Sequence, residues 1–269
     1  MVLAACVAPA AVVFAAFWLL PMVQLVLLPA SKGYATYFVV LTEPRYLQSL
    51  VQTTLLSVAV TLVSLALAAA VGLYLGRRSF AGRRLLMSVL TLPLSFPGVI
   101  VGFFVILVGG RQGPFASLTD ALIGERITFA YGVTGLFLAY VYFSLPRAIA
   151  KKEQEGKESP QAIDESILEA ARSLGAGRWH LVRDVWWPAL QPTALAVGAI
   201  LFATAMGAFG TAFTLASRYE VLPITIYNEF TNYANFALAA SLSITLGVMT
   251  WAVLFVARRL GATTVGAGA

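Results

Sequence analysis

The chain of 269 residues is 59% hydrophobic and only 11% charged, whereas a soluble domain is close to half apolar and a quarter charged. This composition, with a mean hydropathy of +0.84, excludes an ordinary soluble protein and indicates one embedded in a lipid membrane. The formal net charge of +6 fits basic loops of a membrane protein better than binding to nucleic acid. Because Cys6 and His180 are the only residues of their types, an internal disulfide and a cysteine or histidine metal cluster are excluded.

Six long apolar stretches follow one another along the chain. Each approaches or exceeds the ~20 residues that cross a hydrocarbon core as a helix, and none alternates as a membrane β-barrel does. We therefore predict an all-α, polytopic membrane protein whose residues 1–269 form a single transmembrane domain. The first stretch is long for a signal peptide and follows no basic residue, so we predict a retained anchor helix. The six predicted spans are 3–28, 48–76, 85–109, 129–149, 188–212 and 235–257.

Two of the predicted spans contain clusters of helix-breaking residues. Residues 92–98 read LPLSFPG and residues 205–210 read AMGAFG. Such breaks persist in a membrane where neighbouring helices or a wet cavity satisfy the freed backbone groups. They indicate either close helix packing or a translocation path. The candidate path residues are Ser95, Pro97, Thr204, Phe209 and Gly210.

Charged residues are nearly absent from the predicted spans, since only Arg147, at the end of the fourth, lies within one. Proton-driven transporters, ion pumps and charged-site channels need ionisable groups inside the membrane. A membrane-embedded enzyme would need a convergent set of catalytic side chains. The spans disfavour all of these classes, and we predict no catalytic residue and no metal site in this chain.

Basic residues are distributed unevenly between the predicted loops. Thirteen of the 18 Lys and Arg lie between spans two and three, at the end of span four (Arg147) and in the loop that follows it, and after span six. The other five lie in the predicted loops at 29–47, 110–128 and 213–234. Because cytoplasmic loops are enriched in Lys and Arg, we predict that both termini and a loop at about 150–187 are cytoplasmic.

The loop between spans four and five has a helical pattern of its own. Apolar residues recur at helical spacing from Ile163 to Leu174, and Gly175 fits the left-handed position that ends a helix. On the residues alone, docking to another protein and packing against the protein's own helices remain equally open. A second short helix is predicted from Arg178, with one side formed by Trp179, Val182 and Val185.

This loop resembles the EAA motif of binding-protein-dependent ABC importer permeases. In that motif Glu-Ala-Ala is followed at fixed spacings by Gly, Ile and Leu-Pro. Every spacing is kept here, although Val185 stands for the usual Ile and Trp187 for the usual Leu. The preceding stretch, 150–161, is more polar than the segment that leads into the motif in the family. The matching residues are Glu169, Ala170, Ala171, Gly175, Val185, Trp187 and Pro188.

Other parts of the chain are similar to the same family. Gln52-Thr53 at the start of span two, the proline-rich third span, and Leu222-Pro223 resemble the polyamine, ferric-iron and 2-aminoethylphosphonate branch. The resemblance implies a MetI-like, type I importer fold with six transmembrane helices. It also implies a location in the bacterial inner membrane.

The resemblance implies a permease subunit that forms half of the translocation path for a small hydrophilic solute, such as 2-aminoethylphosphonate, a polyamine or ferric iron. Its implied partners are a dimer of cytoplasmic ABC ATPases, a sister permease in a heterodimer rather than a homodimer, and an extracytoplasmic substrate-binding protein. ATP and Mg²⁺ would bind to the ATPase, because this chain lacks the G-x-x-x-x-G-K-[ST] phosphate loop. A secondary transporter or channel that works without an ATPase is the alternative. The residues implied to couple to the ATPase are Glu169, Ala170, Ala171, Leu174, Gly175, Trp179, Val185 and Pro188.

The distribution of basic residues predicts the topology. Reporter fusions placed after Arg84, within 150–160 and after Arg259 are expected to report the cytoplasm, because these positions follow Lys- and Arg-rich regions. Fusions near Arg111 or Arg218 are expected to report the opposite side. A cytoplasmic signal at Arg111 would contradict the arrangement of six spans.

Overall fold

The computed structural model describes residues 9, 12–77, 82–158, 173, 175, 177–216 and 219–266. Within these ranges the backbone forms helices and irregular connections, and no strand occurs in this part of the chain. The all-α prediction is confirmed. The α-helices are α1 Leu20–Leu27, α2 Val39–Thr42, α3 Pro44–Arg77, α4 Arg83–Thr91, α5 Gly98–Gly109, α6 Pro114–Ile123, α7 Val133–Glu158, α8 Arg178–His180, α9 Trp187–Met206, α10 Phe209–Leu215, α11 Leu222–Tyr227 and α12 Phe236–Gly266.

Shorter helical turns extend or join several of these helices. The π-helical turns are Ala15–Leu19, Leu181–Trp186 and Asn228–Asn232. The 3-10 turns are Leu28–Lys32, Tyr34–Phe38 and Leu92–Ser95. The predicted anchor helix corresponds to the helical run Val12–Lys32, and its earlier residues fall mostly outside the described ranges.

Four helical runs in the described ranges are long and apolar enough to cross a membrane. They are Val12–Lys32, Pro44–Gly72, Gly98–Ile123 and Phe236–Leu260. A fifth span exists if the pair Leu190–Met206 and Phe209–Leu215, bent by 50°, counts as one. The remaining predicted span corresponds to the shorter apolar helix Val133–Ile149. These helices are compatible with six spans, and the number six stays a prediction.

The third predicted span, 85–109, is not one continuous helix. Pro93 and Pro97 lack an N–H, and Pro97 also disfavours a helical conformation in Phe96. Phe96 is extended, with ψ 134°. The span is therefore divided into α4, a 3-10 turn and α5.

Much of the sequence predicted as external loops is helical in the structure. Helices α2, α6 and α11 all lie in those loops. Helix α6 begins at Pro114 and is followed by Gly124, whose φ of 72° is left-handed. Proline at the start and glycine just past the end are the usual helix boundaries, and we did not use this signal in the sequence analysis.

The structure divides into two compact units, each with its own apolar core. Unit 1 comprises residues 1–53 and 220–249, and unit 2 comprises residues 54–219 and 250–269; α3 and α12 contribute to both. The core of unit 1 contains Val40, Leu50, Leu222, Leu238 and Leu242. A core in unit 2 contains Ala68, Ala148, Ile149, Val197 and Leu201.

In unit 1, a polar ladder of three hydrogen bonds joins the first turns of α3 to α11 and the π-helical turn that follows it. The three side chains on α3 are spaced by three and four residues, so they lie on one face of the helix. Glu229 is only 4% exposed, and its bond to Tyr46 supplies the partner that a buried carboxylate needs. The bonds are Tyr46 Oη to Glu229 Oε1 at 2.9 Å, Ser49 Oγ with Thr225 Oγ1 at 2.8 Å, and Leu222 N to Thr53 Oγ1 at 2.8 Å.

The polar ladder predicts a specific loss of stability. Thr53→Val keeps the side-chain shape but leaves the buried N–H of Leu222 without its acceptor, so we expect a loss of about 1–3 kcal/mol. Thermal unfolding of the purified protein in detergent measures it. The control is Thr42→Val, since Thr42 is exposed and its hydroxyl bonds only to the nearby carbonyls of Phe38 and Val39. Equal melting of the two variants would contradict this role of Thr53.

Candidate functional site

The predicted coupling segment is described in part. Glu169, Ala170, Ala171 and Leu174 lie outside the described residues, and only the backbone of Val185 is described. Trp179 is 70% exposed, and Pro188 is an exposed residue in the first turn of α9. Trp179 is therefore an exposed apolar side chain between the Gly175 and Val185 positions of the motif.

Gly175 has the conformation that the sequence predicts. Its φ of 83° is left-handed, which costs most residues energy but not glycine. A Cβ atom built on Gly175 would meet nothing within 4 Å. Glycine is required here by the backbone conformation and not by close packing.

The second short helix is not separate from the fifth predicted span. It begins at Arg178, as predicted, but continues through the π-helical turn Leu181–Trp186 directly into α9. Pro188 lies inside this helical run, directly after the π-helical turn, and contributes no backbone N–H to it. Likewise, α7 continues to Glu158, so most of the polar stretch 150–161 is helical and the rest lies outside the described residues.

The structure brings the two predicted helix breaks together in unit 2. The hydroxyl of Thr211, in α10, donates to the carbonyl oxygen of Gly98, at the start of α5, over 3.0 Å. A Cβ on Gly98 would lie 2.8 Å from Thr211 Oγ1, and a Cβ on Gly102 would lie 1.7 Å from Thr214 Oγ1. Helices α5 and α10 therefore approach so closely that only glycine fits at the crossing.

The individual path candidates differ in their surroundings. Ser95 and Pro97 are exposed, and Phe209 is 37% exposed. Gly210 packs against Val99, from which an added Cβ would be 3.1 Å away. The hydroxyl of Thr204 instead donates to Ile200 O at 2.8 Å within its own helix. The structure thus places the segment that follows Pro97 against Gly210, whereas the hydroxyl of Thr204 donates within α9.

The sequence analysis missed Tyr140. This residue of α7 is 2% exposed, and its hydroxyl donates to the carbonyl oxygen of Ala208, between α9 and α10, at 2.7 Å. A buried tyrosine hydroxyl usually has a hydrogen-bond partner. A tyrosine inside an apolar predicted span was therefore a usable signal, although it did not identify the partner.

The one charged residue within the predicted spans is stabilised by its own helix. The guanidinium carbon of Arg147 lies 3.7 Å from the centre of the Phe143 ring, and Arg147 Nη1 donates to Phe143 O at 3.3 Å. Arginine over an aromatic ring gains a cation–π attraction that is stronger away from water. Arg147 is thus accounted for by local contacts.

Comparison with known families gives one extensive match. The model of the family described as "Binding-protein-dependent transport system inner membrane component" matches residues 68–262. The matched range contains both helix breaks, Tyr140 and the whole polar loop that follows α7.

Curated relatives cover similar parts of the chain. The molybdenum transport system permease protein ModB of Escherichia coli K12 is 34% identical over 192 residues, which are 66% of this chain and 75% of that protein. Sulfate permease 2 of Chlamydomonas reinhardtii, a chloroplastic protein, is 30% identical over 233 residues, 84% of this chain and 61% of the relative. The thiamine transport system permease protein ThiP of Salmonella typhimurium is 32% identical over 68% of this chain and 34% of its own length.

Solved structures share the fold at low identity. A chain of a bacterial alginate ABC transporter, crystallised with an alginate-bound periplasmic protein, aligns with a TM-score of 0.77 and 17% identity over 97% of this chain and 95% of that one. A chain of the inward-facing MetNI methionine ABC transporter aligns with a TM-score of 0.56 and 18% identity over 82% of this chain and 99% of that one. These likenesses establish the MetI-like fold class.

The close crossing of α5 and α10 predicts the effect of one added methyl group. Gly102→Ala places a Cβ 1.7 Å from Thr214 Oγ1 and 2.9 Å from Thr214 Cβ, so we expect a loss of about 1–3 kcal/mol. Thermal unfolding in detergent measures it, and adding Thr214→Ala should restore part of the loss. In the matched control, Gly247→Ala, the added Cβ meets nothing within 4 Å, so this variant should be neutral or gain up to about 1 kcal/mol. If Gly102→Ala melts like Gly247→Ala, the helices are not in close contact.

Proposed function

Since this chain belongs to the family of binding-protein-dependent transport system inner membrane components, we propose that it forms half of the translocation path of its importer and couples to the ATPase through its loop at 150–187. The chain is the permease subunit of an ABC importer, a type of protein that works with an ATPase and a substrate-binding protein. The observation that carries the proposal is the family match over 68–262, because that range includes both the EAA-like loop and the two helix breaks.

The coupling part of the proposal rests on the loop. We propose that the Glu-Ala-Ala segment at 169–171, together with Leu174, Gly175 and Trp179, contacts the cytoplasmic ATPase. The left-handed Gly175 and the largely exposed Trp179 support this, because the first turns the chain and the second offers apolar surface to a partner. Val185 and Pro188 then connect this contact to α9. Motion of the ATPase would thereby reach the membrane helices.

The path part of the proposal rests on the joined helix breaks. Breaks in membrane helices are tolerated where the freed backbone groups are satisfied by protein or line a cavity, and transporters use such breaks to face their solutes. Ser95, Pro97 and Phe209 are exposed in the two segments that meet where Gly210 packs against Val99, which supports a path along this surface. The Thr204 hydroxyl donates to Ile200 O, so in the path it would face a solute as an acceptor.

We propose a single permease domain in a bacterial inner membrane, with both termini cytoplasmic, paired with a sister permease as a heterodimer. An ATPase dimer would hydrolyse ATP, and an extracytoplasmic protein would capture the solute. The relatives are named for molybdenum, sulfate and thiamine, which differ in charge. Because the predicted spans carry almost no charge, selection among small hydrophilic solutes, including 2-aminoethylphosphonate, polyamines and ferric iron, would fall mainly to the capture protein.

The coupling proposal predicts that two loop variants uncouple the complex without unfolding it. Glu169→Lys reverses a charge at the proposed contact, where a like-charge juxtaposition costs several kcal/mol. Gly175→Val forces a β-branched residue into a left-handed conformation at about 1–3 kcal/mol, and no neighbour within 4 Å adds a clash. Both variants should reach the membrane at normal levels yet lose co-purification with the ATPase or ATP turnover by the complex.

The control for these variants is Arg126→Ala. Arg126 forms an ion pair with Asp120 at 2.9 Å, and both side chains are well exposed, so the change should cost little and leave ATPase binding intact. If both loop variants retain full ATPase binding and turnover, the loop packs only against the protein's own helices and the coupling proposal fails.

A further inference from the structure

The break between α9 and α10 leaves one residue with a distinctive backbone. The two helices are bent by 50°, and Ala208 between them has φ −74° and ψ 83°, outside the helical region. Gly207 N and Ala208 N still donate to carbonyls of the last turn of α9. The carbonyl of Ala208 points instead toward a neighbouring helix, where it meets Tyr140.

The hydrogen bond from Tyr140 gives a partner to two polar groups, a hydroxyl and a carbonyl, whose burial without a partner would cost free energy. The Tyr140 hydroxyl is buried in α7 and donates to Ala208 O at 2.7 Å. Neither an apolar interior nor lipid supplies a donor for a freed carbonyl. A buried phenol likewise needs an acceptor. The geometry of the break therefore depends on a side chain of another helix.

A second hydrogen bond joins the C-terminal end of α10 to the start of α7. Gly132 N, just before α7, donates to Leu215 O, the last residue of α10, at 3.3 Å. Gly132 and Tyr140 are eight residues apart, about 12 Å along a helix, which is close to the length of α10. Bonds at both ends thus hold α10 along the first two turns of α7.

Helix α10 also contacts α5, at residues of the candidate path. Thr211 donates to Gly98 O, and Gly210 packs against Val99. A shift of the Phe209 end of α10 would therefore move this contact with α5. Of the two bonds to α7, only the one from Tyr140 is near that end.

We propose that Tyr140 is a positioning residue for transport: its hydroxyl keeps the Phe209 end of α10 docked on α7 and so sets the position of the path residues. The proposal rests on the proposed function of this chain as half of a translocation path. Without the hydroxyl, the bond between Leu215 and Gly132 still holds the far end, so α10 should loosen at the break while the protein stays folded. Loss of one hydrogen bond should raise the population of undocked α10 about fivefold.

The test uses the full complex with its ATPase in lipid nanodiscs and the variant Tyr140→Phe. Spin labels at Leu138→Cys on α7 and Phe213→Cys on α10, both exposed positions, report the distance between the helices once Cys6 is replaced by serine. The matched control is Tyr142→Phe, the same chemical change on the same helix at an exposed tyrosine. A separate Phe209→Cys variant is treated with a small charged methanethiosulfonate reagent, without nucleotide and after trapping with ATP and vanadate.

We expect Tyr140→Phe to raise the displaced population in the distance distribution about fivefold over that of the unsubstituted complex, while the complex still co-purifies with its ATPase. Tyr142→Phe should leave the distribution unchanged. We also expect Tyr140→Phe to raise the reaction rate at Phe209→Cys several-fold and to weaken its dependence on nucleotide. An unchanged distance distribution in Tyr140→Phe overturns the proposal, and so does a lower yield of complex with no rise in the displaced population, which indicates a role in folding alone.

The reaction at Phe209→Cys also tests the proposed path. If Phe209→Cys is inert in every nucleotide state when Tyr140 is intact, α10 does not line an aqueous path and that part of the proposed function fails. The distance measurement still decides whether Tyr140 positions α10, because it does not depend on access of the reagent.

Discussion

In apolar surroundings, a backbone carbonyl or N–H that has no partner within its own helix must find one elsewhere in the protein, because lipid offers none. This protein meets that constraint with single side chains from neighbouring helices. Tyr140 donates to Ala208 O at the break between α9 and α10. Thr211 donates to Gly98 O in the first turn of α5, a carbonyl that the helix itself can also use, and so adds a bond between the two helices. Thr53 accepts from Leu222 N, where α11 begins. Hydroxyl groups thus supply partners for backbone groups at the break after α9 and at the start of α11.

Hydrogen bonds between helices also require that the helices approach each other closely. A hydroxyl can reach a carbonyl of another helix only if no bulky side chain separates the two backbones. Gly98 and Gly102 remove that obstacle on α5, where an added Cβ would collide with Thr211 or Thr214. The breaks in LPLSFPG and AMGAFG therefore meet at one close crossing of α5 and α10.

Two charged side chains, Arg147 and Glu229, also have partners within the protein. Arg147 lies against Phe143 of its own helix, and the buried Glu229 accepts a bond from Tyr46. The partner of Arg147 is in the same helix, and that of Glu229 is 183 residues away in the chain.

The sequence by itself determined the features that depend on local chemistry. Apolar runs predicted the helical membrane fold, the EAA-like spacing predicted the family, and Gly175 predicted a left-handed backbone, because each follows from residues close together in the chain. Even the division of the third span was readable from Pro93 and Pro97, since two prolines four residues apart favour a break in a helix. Only the tertiary structure decided which groups meet. Tyr140 and Ala208 are 68 residues apart, Thr211 and Gly98 are 113 apart, and Tyr46 and Glu229 are 183 apart. No local pattern names such partners, because they are selected by how the helices pack.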